Sequence, residues 1–117
     1  MVREGYRRGD VVLVLFPHTD LRTAKPRPAL VVQAEDLDTG LDQVVLRMII
    51  SRLFRADHRS RVLVRLADAE GADSGLLTDS VVMTDNLATV LLSEIDRVIG
   101  KLRMARVDPA LRHTLAL

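Results

Sequence analysis

The sequence predicts a mainly β fold, a small barrel or barrel-like sheet with appended helices. Three observations predict it. Five or more short runs rich in Val, Ile and Leu recur along the chain, separated by turn signals. One helix signature stands near the end, where Asp108 and Pro109 precede Ala110 and Leu111. No repeat, linker or low-complexity tract interrupts the 117 residues, so residues 1–117 are expected to form a single domain.

The elements follow in order. Asp10 to Phe16 is rich in β-branched residues and reads as a buried strand, with Phe16 in the core. Pro17 to Pro26 is polar and bounded by prolines, and it reads as a long loop of the kind that often carries function. Ala29 to Gln33 resumes a strand behind Pro28, which is tolerated at a strand's first position. Gln43 to Ile50 is a third strand, and the basic stretch from Ser51 to Ser60 is turn-like. In the next strand Val62, Val64 and Leu66 alternate with Arg61, Leu63 and Arg65. Ala67 to Ser74 reads as an acidic turn. Ser80 to Thr84 is a further strand ending at Asp85 and Asn86, and Ala88 to Val90 adds a short one. Ser93 caps a helical turn, and Arg97 to Leu102 forms an edge strand. The last helix is expected to take Asp108 as N-cap and to bury Leu111, Leu115 and Thr114.

Composition removes several classes of function. Hydrophobic residues make up 48% of the chain, enough for a packed core. No apolar run reaches membrane-spanning length, and no signal-peptide core follows the basic N-terminus, so a cytoplasmic protein without membrane partners is expected. There is no cysteine, which excludes disulfides and thiol catalysis. The histidines at 18, 58 and 113 lack ligand spacing, so no metal site is expected. Net charge is only +1, yet 15 of the 17 basic residues are Arg, and six of these lie between Arg47 and Arg65. The planar fork of arginine suits phosphate. An arginine-rich genome would give the same enrichment.

Three ordered segments resemble the MazF/PemK (Kid-like) toxins of type II toxin–antitoxin systems. They are Arg8-Gly9-Asp10-Val11-Val12, Arg27-Pro28-Ala29-Leu30-Val31-Val32, and the run from Gly75 through Asp79-Ser80-Val81-Val82 to Asp85-Asn86-Leu87-Ala88-Thr89. Ile99-Gly100-Lys101-Leu102 is similar to the family's last strand. The resemblance runs from about residue 8 to about residue 102. It implies an SH3-like barrel, a homodimer and an antitoxin partner similar to MazE or PemI. Operator DNA would be bound only through that antitoxin. It also implies a cofactor-free, metal-independent endoribonuclease that cuts single-stranded RNA selectively, leaving a 2′,3′-cyclic phosphate. Translation and growth would be inhibited through cleavage of mRNA, rRNA or tRNA.

The resemblance places the family's catalytic arginine on Arg27 and its Thr or Ser on Ser51. An always-protonated guanidinium at Arg27 would stabilise charge on the phosphoryl oxygens. The Ser51 hydroxyl would hydrogen-bond phosphate and relay a proton. Lys25, Arg22, Arg52, Asp85 and His18 are the supporting or RNA-binding candidates. Asp85 has a claim as base or as orienter of Arg27, and His18 has a pKa suited to proton transfer. The family's usual Gln and Arg are Asn86 and Ala88 here. Tyr6, Phe16 and Phe54 are the only Phe, Tyr or Trp residues, so stacking is expected to be a minor part of RNA selection. The competing readings are a non-enzymatic toxin similar to the gyrase-binding CcdB proteins and a catalytically dead repressor subunit. Against the first, the chain has no Trp and ends His113-Thr114-Leu115-Ala116-Leu117.

Overall fold

A computed structural model describes residues 5–17, 24–35 and 37–117. The side chains of residues 16, 17 and 24 lie outside that description, and so does the expected core packing of Phe16. The described elements are β1 (Asp10–Pro17), β2 (Ala24–Val31), β3 (Gln43–Ile50), a 3-10 turn (Leu53–Ala56), β4 (Arg61–Val64), α1 (Ala69–Ala72), β5 (Ser80–Leu91), a second 3-10 turn (Leu92–Glu94), β6 (Ile95–Lys101) and α2 (Val107–Leu115). Every strand pairing among the described residues is antiparallel, in the order β4-β5-β3-β2-β1-β6.

Strand alternation sends side chains to opposite faces, and both faces here are covered. One core joins Val11, Leu30, Ile49, Val62, Val64 and Val82 to Val107, Ala110 and Leu111 of α2. The other joins Val12, Val14, Ala29, Val31, Val44, Leu46, Met48, Val90 and Ile95. Val90 comes from β5 and Ile95 from β6, which lie on opposite sides of the β3-β2-β1 centre. Their meeting in one core means that the sheet curls around it, as the barrel expectation requires.

Several boundaries differ from expectation. Strand pairing reaches Pro17 in β1 and begins at Ala24 in β2, so every described residue of the expected Pro17–Pro26 loop is strand. Pro28 sits inside β2, opposite Leu13, rather than at its start. The acidic turn contains α1. The 3-10 turn after β5 starts behind Leu91, whose backbone N–H is held by the Glu94 carboxylate at 2.9 Å, so Ser93 is not its cap. Helix α2 starts two residues early, with Arg106 at the cap position. Asp108 is engaged elsewhere, taking the Arg8 Nη2 at 2.5 Å, while Arg8 Nε donates to the Val32 carbonyl. The helix buries Val107, Ala110 and Leu111, and Leu115 is exposed.

The two strands expected at Ser80–Thr84 and Ala88–Val90 are one strand with a bulge. Met48 pairs with Met83, but its neighbour Arg47 pairs with Leu87. Thr84, Asp85 and Asn86 are therefore extra residues on the β5 side. Arg47 is 4% exposed, and its Nε donates to the Thr84 carbonyl at 2.7 Å. The Thr84 hydroxyl is shared between the Ser60 carbonyl at 2.5 Å and the Thr114 hydroxyl at 2.6 Å, which ties the bulge to α2.

Among the described residues, no helix is long and apolar enough to cross a membrane. Gly9 bridges three strands. Its N–H donates to the Val31 carbonyl, and its carbonyl accepts from Leu102, both at 2.8 Å. Its φ is +97°, and a Cβ there would lie 2.9 Å from the Leu102 carbonyl oxygen. Gly40 also has positive φ, but open space surrounds its Cβ position. Gly9→Ala is expected to destabilise by about 1–3 kcal/mol in urea unfolding, from backbone strain and the clash together. Gly40→Ala should lose less, and equal losses would contradict this account.

Candidate functional site

The site begins where β2 leaves the second core. Ala29 and Val31 are buried on one face of β2, and the same alternation carries Arg27 and Lys25, both exposed. Arg27 stands opposite Val14 in the β1 register. On the other side Ala29 pairs with Met48 of β3. Continuing that antiparallel register brings Arg27 level with Ile50, one residue short of Ser51. Ser51 is exposed in the bend that ends β3. Arg27 and Ser51 therefore share one end of the β2–β3 pair. Among the described residues, the side chains of Lys25, Arg27, Ser51 and Arg52 have no hydrogen-bond or ion-pair partner. They form a polar edge open to an anionic ligand. His18 and Arg22 lie outside the described residues.

Past Ser51 the chain enters a fixed turn. Arg55 N–H donates to the Arg52 carbonyl at 3.1 Å, and Arg61 N–H donates to the His58 carbonyl at 3.0 Å. The Arg61 guanidinium then clamps the turn to the bulge. Its Nη1 donates to the Arg55 carbonyl at 3.2 Å, and its Nη2 pairs with Asp85 at 3.0 Å. Its Nε is buried without a partner among the described residues. Asp85 thus orients Arg61, and it makes no bond to Arg27.

That geometry sets the charge of Asp85. The Arg61 hydrogen bond holds its carboxyl below the ordinary value, against a weaker opposing effect of burial. Its own backbone N–H and the charges of Arg61 and His58 add to the lowering. A carboxylate so stabilised is ionised at neutral pH and is a weak base, so its geometry suits anchoring.

Arg61, Arg47 and His58 join the site region without having been singled out by sequence reasoning. Arg61 looked like one polar position in an alternating strand. The signal for Arg47 was a charge inside the apolar Val44–Ile50 run. His58 Nδ1 lies 2.7 Å from the Ser60 hydroxyl and accepts the Ser60 N–H at 3.1 Å. Among the described residues, no three His, Asp or Glu side chains gather to hold a metal ion.

The family model of PemK-like, MazF-like toxins of type II toxin–antitoxin systems matches residues 7–115. The chain belongs to that family. Solved structures agree in fold. A mycobacterial endoribonuclease in complex with its cognate antitoxin superposes with TM-score 0.73 at 20% identity, covering 97% of each chain. The Mycobacterium tuberculosis toxin MazF-mt6 gives 0.66 at 26% identity, over 92% of each chain. A MazE–MazF structure from Deinococcus radiodurans gives 0.71 at 14% identity, over 96% of each chain. No curated protein matches the toxin in sequence.

The two departures from the family pattern fall at or just beyond the bulge. Asn86 is exposed within it. Ala88 lies opposite Leu46, half-buried against the second core. Ala88 therefore puts a small side chain where the resemblance to the family implies an arginine.

The lowered carboxyl of Asp85 gives a pH test. Because its folded value is depressed, the Arg61–Asp85 pair contributes at pH above the ordinary carboxylate value. That contribution is lost as pH falls through the folded value. An NMR titration of the Asp85 carboxyl should find its midpoint below the ordinary value and shifted back up in Arg61→Ala. A midpoint at or above the ordinary value would contradict the pairing.

Proposed function

We propose that this toxin is an endoribonuclease that cleaves single-stranded RNA without a metal, with Arg27 and Ser51 carrying the chemistry. The observation that carries the reading is the unpartnered, exposed pair at one end of the β2–β3 ladder. Family membership and the endoribonuclease and toxin relatives support it.

RNA brings its own nucleophile. The 2′-oxygen attacks the adjacent phosphorus as the bond from phosphorus to the 5′-oxygen breaks. The products are a 2′,3′-cyclic phosphate and a 5′-hydroxyl. One proton leaves the 2′-oxygen and one is gained by the 5′-oxygen, so the step balances. Arg27 grips the non-bridging oxygens as their charge grows. Ser51 hydrogen-bonds a phosphoryl oxygen and relays a proton. Lys25 and Arg52 attract flanking phosphates, and Asp85 acts through Arg61 on the turn beside Ser51. Residues 1–117 act as one toxin domain, paired as a homodimer in the cytoplasm. A cognate antitoxin occupies and silences the surface; a mycobacterial relative is solved in complex with its cognate antitoxin and a Deinococcus MazF with MazE.

The purified toxin should cut a diverse single-stranded RNA pool in EDTA and leave cyclic-phosphate ends. Arg27→Ala should lower the rate by about 10²–10³. Ser51→Ala should slow it as well. Failure of the wild type to cut any member of the pool would falsify the proposal.

A further inference from the structure

We propose that Phe54, backed by Arg55, is a stacking subsite for a nucleobase of the RNA strand next to the phosphate held at Ser51. This rests on the ribonuclease reading and adds a named contact to it. Among the described residues Phe54 is the one exposed phenyl or phenol ring, at 77% exposure. It lies on the 3-10 turn three residues past Ser51 and contributes nothing to either core. A phenyl ring left in water forgoes the gain from burial, which a planar partner laid on it recovers.

The surroundings point to nucleic acid. The Arg55 guanidinium carbon stands over the Phe54 ring, 5.6 Å from its centroid. A cation on one face leaves the other face for a base. Arg52, Arg55 and Arg59 are all exposed on this segment, against the single acid Asp57. Such a surface complements a phosphate chain. It disfavours a second copy of itself across a two-fold axis, because three guanidiniums would then face three. The turn is also ordered before any ligand arrives, because Arg61 holds the Arg55 carbonyl and is held in turn by Asp85. A preformed platform loses little freedom on binding.

The test compares the wild type with Phe54→Ala and Phe54→Trp in the full chain. Each is assayed for cleavage and for binding to an RNA whose cleaved nucleotide lacks the 2′-hydroxyl. Phe54→Ala should raise KM and Kd roughly 10- to 100-fold with little change in kcat. Phe54→Trp should bind like the wild type, and RNA should quench its fluorescence. A wild type that cuts RNA while Phe54→Ala keeps the same KM and Kd overturns the subsite alone. Unchanged RNA binding with altered sedimentation of Phe54→Ala assigns the ring to self-association and also overturns it. A wild type that neither cuts nor binds RNA removes the ribonuclease reading and the subsite with it.

Discussion

The hydrogen bond from the buried Arg47 guanidinium to the Thr84 carbonyl is the constraint on which the functional half of the molecule depends. A three-residue bulge in the middle of a long strand leaves backbone groups without ladder partners. Arg47 supplies one donor from the neighbouring strand, and the Thr84 hydroxyl supplies links to Ser60 and to Thr114 of α2. Burying a guanidinium is costly, and desolvation accordingly depresses the Arg47 pKa. An apolar residue at this position would leave the Thr84 carbonyl without that donor. Below it the two halves of β5 pair with β3 in two registers, and each half feeds a different core.

From the bulge a chain of contacts leads outward. Asp85 stands on it and fixes Arg61, and Arg61 fixes the turn that begins just past Ser51. Among the described residues the side chains assigned to chemistry have no partner, while the scaffold around them is bonded. This division suits a site whose work is charge stabilisation and alignment, since preorganised donors need not reorganise as charge develops. The exposed salt bridge of Arg61 and Asp85 contributes little to global stability at such exposure. Its role is to set geometry.

The fold was legible wherever burial follows a simple period. The runs at β1, β3 and β4 announce themselves through alternation or β-branched content, and β6 through its place after a turn. The break in β5 looked like a strand end because Thr84-Asp85-Asn86 has turn chemistry. Only the tertiary donor Arg47 lets the strand continue through it. Asp108 carried a cap signature, but its ion pair with Arg8, 100 residues away in sequence, is a contact no local pattern encodes. Arg27 and Ser51 are proposed for the site through resemblance to the family, and their shared ladder end follows from register. Arg61 and Phe54 were not legible, because one resembled an ordinary surface position and the other an aromatic too isolated to matter.

The most direct test of the arrangement is to map RNA on the folded toxin by backbone amide NMR, using a single-stranded RNA that lacks the 2′-hydroxyl at its cleavage position. The account predicts perturbations at Lys25 and Arg27, along 51–57 and at the 84–86 bulge, with α1 and the exposed end of α2 at Leu115 unaffected. Perturbations confined to α2, with Arg27 and Ser51 silent, would contradict it.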